Sequence, residues 1–317
     1  MVAMTYRVKT AEIRKVAPTV SVVYSGPFGY TATHPLLVEY KPHPVVQEII
    51  AKNSAAWSEP QANGKPRLAN GLTSGVRNIS FLSDGSIGMF IAVMYPFYAK
   101  LAERGTGVTD PAFLGWLEKQ HEAAGPGNFN VGITYPLACA LLVKYDNGKG
   151  FIMQERSAAG AQNAGMITAS VTGGFDKEDV RKVTSLINGS ALEAIDLVGG
   201  AKRELCEEMG VFDEDITSFN SSMIVYEAKL REFMYVAVVE TNLTDAQVLE
   251  KARRASGRWE TNKVILVRPE SRNQDLDDEL RKRTTPAGRI AMYAGLRGSE
   301  PGLKLLMRLG SADPAKE

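Results

Sequence analysis

Cysteine is nearly missing from this chain: Cys139 and Cys206 are the only two among 317 residues. Two thiols exclude a disulfide framework, and both read as small core residues, one in a predicted strand and one in a predicted helix. Histidine is as scarce. His34, His43 and His121 stand apart, with no second His or Cys at ligand spacing, which leaves them as surface or packing residues. Excess charge is lacking too, since 37 Lys and Arg against 36 Asp and Glu give a formal net charge of +1. So even a balance argues against an extended phosphate track, and Arg253-Arg254 and Arg281-Lys282-Arg283 read as solvated helix faces. No nucleic-acid partner is expected. Long apolar runs are absent as well. The richest, Ile87 to Tyr98, is too short to cross a bilayer and contains Pro96, while Met1 to Lys15 has no apolar signal-peptide core. The chain therefore reads as cytoplasmic, with no membrane partner. The Asn-x-Ser/Thr triplets beginning at Asn78, Asn188, Asn220 and Asn242 then read as chance matches.

What is present is apolar mass and one unusual acidic cluster. At 44% apolar the chain can bury a large core, and its length suggests two domains. Glu204, Glu207 and Glu208 stand at i, i+3 and i+4, so a helix projects all three from one face. Like charges so placed repel, the more so where the face is partly buried. A counter-charge is needed. Hard divalent cations take oxygen ligands, and magnesium in particular combines one or two carboxylates with phosphate oxygens and water. The alternative is a solvated acidic face.

Local signals place this cluster on a long helix. Ser190 followed three residues on by Glu193 is a capping-box pattern, and Gly210 suits a left-handed C-terminal position. The prediction is one helix over Ala191 to Met209, roughly 28 Å long at about 1.5 Å per residue. Leu192, Ile195, Val198, Leu205 and Met209 form its apolar stripe. Gly199-Gly200 falls in mid-helix, at a cost of roughly 1 kcal/mol per Gly relative to Ala. Such a bare surface admits a loop backbone close to the carboxylates, unless the pair marks a simple kink.

The flanking segments alternate in type. Tyr135 to Tyr145 reads as a buried strand, Asp146 to Gly150 as a turn, and Phe151 to Arg156 as a second strand, before Met166 to Val171 leads into Gly173-Gly174. After the acidic helix come a hairpin over Ser222 to Leu230 and Phe233 to Glu240, a helix over Asp245 to Ala255 and a strand over Val264 to Val267. That order implies a mixed sheet between helical layers, an α/β/α sandwich. Upstream, Thr19 to Tyr24 and Leu36 to Tyr40 read as strands, Pro44 to Ser58 as a helix, and Val76 to Ser83 with Ser86 to Val93 as a hairpin across Asp84-Gly85. Gly310 to Glu317 is small and polar and reads as a flexible tail.

The run Arg203-Glu204-Leu205-Cys206-Glu207-Glu208-Met209-Gly210-Val211 resembles the helical half of the Nudix signature: Gly, five residues, Glu, seven residues, then Arg-Glu-apolar-any-Glu-Glu-any-Gly-apolar. In the other half Gly189 stands at the signature Gly, but Ile195 occupies the Glu position. Glu193 and Asp196 lie near enough to offer Arg203 a shifted carboxylate, and Gly173-Gly174 is taken as the start of a lengthened loop. Trp57 with Lys65 to Gly71 is similar to the N-terminal module of a Nudix branch that hydrolyses UDP-glucose. Trp259-Glu260 and Thr285-Pro286-Ala287 extend the likeness towards the C-terminus. The organisation implied is a smaller α+β N-terminal domain over 1–130, a Nudix α/β/α domain with a mixed sheet over 131–309, and the tail 310–317.

The resemblance implies a metal-dependent pyrophosphohydrolase using Mg2+, or Mn2+ in its place. In that reading Glu207 and Glu208 are metal ligands, Glu204 is a third ligand or holds the water, and the Gly174 carbonyl also contacts the metal. Arg203 orients a carboxylate, Glu260 is the candidate general base, and Arg67, Arg77 and Arg156 are candidates for binding the substrate phosphates. The implied partner is a small nucleoside diphosphate derivative such as UDP-glucose. ADP-ribose, a dinucleotide, coenzyme A or a cap-like nucleotide are alternatives, as is a non-catalytic nucleotide-binding scaffold, for which Ile195 speaks. The hairpins are compatible with a homodimer.

Overall fold

The computed structural model describes residues 13–25, 34–58, 70–81, 87–123, 133–157, 163–184, 189–271 and 273–310. Among these residues thirteen strands are interspersed with helices. The first part holds β1 (Val20–Tyr24), β2 (Leu36–Val38), α1 (Pro44–Ser58), β3 (Leu72–Phe81), β4 (Ile87–Pro96), α2 (Phe97–Glu103) and α3 (Pro111–Ala123). Then follow β5 (Tyr135–Tyr145), β6 (Gly150–Arg156), β7 (Ile167–Thr168), β8 (Val171–Gly174), β9 (Val180–Thr184), β10 (Ala191–Ile195) and α4 (Leu197–Met209). The chain continues through β11 (Ile216–Glu227), β12 (Glu232–Thr241), α5 (Asp245–Arg254), β13 (Thr261–Val267), α6 (Gln274–Arg283), α7 (Pro286–Leu296) and α8 (Glu300–Gly310).

All thirteen strands belong to one mixed sheet, in which β12 runs parallel to β5 and β2 parallel to β4 while the remaining pairings are antiparallel. Side chains on a strand alternate between faces, and β5 shows what each face meets. Cys139, Leu141 and Val143 join a core with α4, α5 and the helices of the first part. Ala140 and Leu142 join a second core with α6, α7 and α8. On β12, Phe233, Tyr235 and Ala237 point into the first core and Met234 and Val236 into the second. Two apolar layers on opposite sides of one sheet make the α/β/α sandwich that the alternation predicts. They also explain why β5 is a continuous apolar run, as a strand covered on both faces must be.

Local chemistry sets many boundaries. Asp146 and Asn147 both take left-handed backbone angles, φ 51 and 54, and turn β5 back into β6. Thr244 caps α5 in a capping box with Gln247, and Thr285 caps α7 with Pro286 at its first position. Strands of the first part extend the same sheet: β1 pairs with β11, β3 with β5, and β2 with β10.

One predicted element is corrected. The helix expected over Ala191 to Met209 begins only at Leu197, and Ala191–Ile195 is instead the strand β10. The Ser190 and Glu193 signal is purely local, whereas β10 gains a ladder with β9 on one side and a pairing with β2 on the other, and buries Ala194 and Ile195. Tertiary pairing outweighs a weak local propensity. The true N-cap is Asp196, whose side chain accepts from the Gly199 N–H at 2.8 Å. Gly199-Gly200 therefore lies in the first turn and not in mid-helix. Lys65 to Ala69, Asp84-Gly85 and 311–317 lie outside the described residues; Gly310 itself closes α8.

Candidate functional site

The site is the contact between α4 and the end of β8, and glycines make the contact close. Gly173 lies under Glu204 so tightly that a Cβ there would overlap the Glu204 carboxylate. A Cβ on Gly200 would lie 2.5 Å from the Phe175 ring and 2.7 Å from the Asp179 carboxyl carbon. Gly200 thus lets the segment after β8 pack on the helix, and Gly199 leaves room for the Asp196 cap, whose Oδ2 would be 2.6 Å from a Cβ. Gly210 closes the helix in the left-handed conformation at φ 63.

Two carboxylates point inward from α4. Glu208 is 5% exposed and accepts from the Thr172 N–H at 3.4 Å. Burial, and then the neighbouring Glu204 and Glu260, hold its carboxyl well above the ordinary range. Burial likewise pushes Glu204 up to about 7, with Arg203 pulling it down and Glu207 adding to the rise. Glu207 stands at the rim, half-exposed. Its carbonyl accepts from the Gly257 N–H at 2.7 Å, which ties the end of α4 to the turn carrying Glu260.

Arg203 holds the outer side together. Its guanidinium donates to Asp179 through Nε at 3.0 Å and Nη2 at 2.8 Å, to Glu207 at 3.2 Å and to the Gly174 carbonyl at 3.1 Å, and lies 3.1 Å from Glu204. The Asp179 hydrogen bonds, ahead of the surrounding carboxylates, hold its charge in place. The partner of Arg203 is therefore neither Glu193 nor Asp196. Glu193 is exposed on β10, and Asp196 caps α4 and pairs with Arg181 at 3.5 Å. Asp179 follows Gly173 after five residues, the spacing of the signature Gly and acid with Asp in place of Glu. Ile195 is not a substituted acid at all but a fully buried strand residue. What separates Asp179 from α4 is the β9–β10 hairpin, inserted between them and closed by the Asp196 N–H on the Asp179 carbonyl at 2.8 Å. Only knowledge of that hairpin reveals Asp179, although Gly173 at the right spacing was visible.

The opposite wall comes from β6 and the turn before β13. Arg156 donates to Glu260 at 3.1 Å and to Thr172 Oγ1 at 3.0 Å, and the Ser157 N–H donates to the Glu260 carbonyl at 2.8 Å. Glu260 is close enough to raise both Glu204 and Glu208. The structure thus brings together Glu204, Glu207, Glu208, Arg203, Gly174, Arg156 and Glu260. Arg77 is elsewhere, donating to Thr134 Oγ1 at 3.2 Å and acting on Glu103 and Tyr40. Arg67 lies outside the described residues.

Among the described residues no three His, Cys, Asp or Glu side chains are gathered as a group that could hold a metal ion. The donor chemistry nevertheless fits a hard divalent cation. Glu208 is buried, Glu204 is nearly so one helical turn away, the two repel, and ionising both requires added positive charge. Glu207 and the Gly174 carbonyl are further oxygens at the same edge, at present engaged by Arg203. Among the described residues no helix is long and apolar enough to cross a membrane.

Neither a protein-family model nor a curated protein sequence matches this chain. Among solved structures it is similar to a MutT protein from Methanosarcina mazei Go1, at 17% identity and TM-score 0.31, over 52% of this chain and 96% of that one. A MutT NUDIX hydrolase from Burkholderia pseudomallei matches at 15% identity and TM-score 0.31, over 50% and 96% of the two chains. A bifunctional NMN adenylyltransferase/ADP ribose pyrophosphatase from Francisella tularensis matches at 12% identity and TM-score 0.29, over 61% of this chain and 46% of the other. Likenesses this distant leave the functional reading to the residues of the site.

Proposed function

We propose that this chain is a divalent-metal-dependent pyrophosphohydrolase of a nucleoside diphosphate derivative, with a nucleotide sugar such as UDP-glucose as the favoured substrate. One observation carries the reading: Glu208, buried, and Glu204, nearly so, stand one helical turn apart and repel, while of the helix carboxylates Arg203 reaches only Glu204 and Glu207 at the rim. A folded protein tolerates such a pair where a ligand supplies the missing charge. The substrate preference rests on the sequence resemblance to the UDP-glucose branch.

Glu204, Glu207 and Glu208, with the Gly174 carbonyl, would hold Mg2+ or Mn2+. The bound ion would supply positive charge to the bridging phosphate oxygens and lower the pKa of water. The reaction adds water to one phosphorus, breaks the anhydride P–O bond, and releases two phosphate monoesters and a proton. Arg203 is the positioning group: it spans Asp179, Glu204 and Glu207 and so fixes the direction of the carboxylates. Arg156 aims Glu260 at the cluster, and Glu260 is the candidate to take the proton.

A panel of nucleotide sugars, ADP-ribose, dinucleotides and coenzyme A, assayed with magnesium for phosphate products, tests this reading. Release of UMP from UDP-glucose supports it in full; turnover of another member keeps the activity and replaces the substrate. No turnover with either metal removes the catalytic reading and favours a nucleotide-binding scaffold, which the engagement of Glu204 and Glu207 by Arg203 also suits.

A further inference from the structure

The peptide that delivers α4 is held by the opposite end of the chain. Ile195, the last residue of β10, donates its N–H to the Pro35 carbonyl at 2.9 Å, and its own carbonyl lies 3.0 Å from His34 Nδ1. Ala194 pairs with Leu36. The very next residue, Asp196, caps α4 and bonds to Asp179. Residues 34–36 therefore grip Ala194 and Ile195, the two residues just before the Asp196 cap of the helix that carries Glu204 and Glu208.

Without that grip the hairpin is weakly founded. Its other partner, β9, has no buried residue, and a two-stranded ribbon is marginal by itself. The first part of the chain also ties the opposite flank of the insertion, where the Ser74 N–H donates to the Phe175 carbonyl at 3.0 Å. The segment before the hairpin, at Phe175, and the end of β10, at Ile195, are thus both fastened to residues far away in sequence. His34 is buried, so a carbonyl deprived of its donor there is not compensated by bulk water.

We infer that His34 is a positioning residue of the site: by donating from Nδ1 to the Ile195 carbonyl it fixes the end of β10, and through the Asp196 cap and the Asp179–Arg203 pair it fixes the direction of the α4 carboxylates. The first part of the chain then completes the catalytic loop and does more than flank it. The inference rests on the proposed hydrolase reading for its kinetic arm alone.

The test compares full-length wild type, His34→Leu and His34→Asn, because Asn returns an N–H donor near the place of Nδ1 and Leu does not. Amide hydrogen exchange over 196–203 is expected to accelerate about tenfold in H34L while α7 is unchanged, and to return near wild type in H34N. On the best substrate of the panel, kcat is expected to fall about tenfold or more in H34L with KM nearly constant, and to recover in H34N. Unchanged exchange in a folded H34L, equal losses in both variants, or a change confined to KM would overturn the inference. Nitrogen NMR of the wild-type histidines tests the underlying hydrogen bond without any variant. A neutral His34 ring protonated at Nδ1 supports the inference, and one with Nδ1 bare refutes it. Should the panel show no turnover, the exchange and NMR results still stand on their own.

Discussion

Asp179 grips Arg203 in a two-pronged pair, Nε to Oδ1 at 3.0 Å and Nη2 to Oδ2 at 2.8 Å, across 24 positions of chain. The Asp179 side chain is 3% exposed, so the pair is shielded at one end and open towards Glu207 at the other. Removing one partner of such a pair strands the other. Asp179→Ala is expected to lower the unfolding free energy by about 3 kcal/mol, measured in urea, and to reduce turnover by releasing Arg203 towards Glu204. Wild-type stability in this variant would show that the hairpin, and not the ion pair, holds α4 in place.

Gly173 offers a sharper cut. A Cβ there overlaps the Glu204 carboxylate, so Gly173→Ala must displace either β8 or the side chain. The loss in stability should be modest, about 1–3 kcal/mol, because only one contact is overpacked. Turnover should fall about a hundredfold, since a small misplacement of a reacting group is enough. Paired urea titrations and steady-state rates separate the two effects, and full activity in G173A would mean that Glu204 has no part in the reaction.

Adding the divalent ion should stabilise the fold through the same carboxylates. Thermal midpoints at pH 8 are expected to rise with millimolar magnesium in wild type, and to rise much less in Glu208→Gln, which keeps shape and loses charge. Both Glu207→Gln and Glu208→Gln are expected to abolish magnesium-dependent turnover while the far-ultraviolet spectrum stays native. An equal magnesium shift in E208Q would place the ion elsewhere.

A second buried carboxyl, distant from the acidic helix, predicts a dependence on pH. Glu103 is fully enclosed, accepts from Tyr40 at 3.2 Å and from the Thr134 N–H at 3.0 Å, and burial pushes it up to about 8 against the pull of Thr134 and Arg77. Its value in the fold lies above the ordinary 4.5, so its contribution to stability is complete below 4.5 and is lost as pH rises through about 8. Glu204 acts in the same direction, whereas the partly buried Lys100, lowered to about 8, changes stability only above that pH. Urea unfolding between pH 5 and 7.5 should therefore show stability declining, with Glu103→Gln removing up to about 1.4 kcal/mol of the slope per unit. An identical slope in E103Q would mean that Glu103 is ionised throughout.

Much of the architecture was legible because the periodicities are strong. Tyr135–Tyr145 and Pro44–Ser58 emerge with the predicted ends, and the carboxylates at i, i+3 and i+4 do lie on one helix. The start of that helix was misread for a physical reason. Ser190 and Glu193 carry a cap signal that any local reading accepts, while the partners that convert 191–195 into a strand are β2 and β9, one of them more than 150 residues away. Asp179 was hidden by the same cause, because its partnership with Arg203 exists only once the intervening hairpin is folded aside. Arg156 and Glu260 were each named singly; that they meet follows from β13 pairing with β6, which no spacing announces.

The β9–β10 hairpin leaves and rejoins the site at one point, where Asp196 bonds Asp179. Distance along the chain and distance in space are thereby uncoupled: an acid and an arginine that a whole folded ribbon separates in sequence are held within a hydrogen bond of each other.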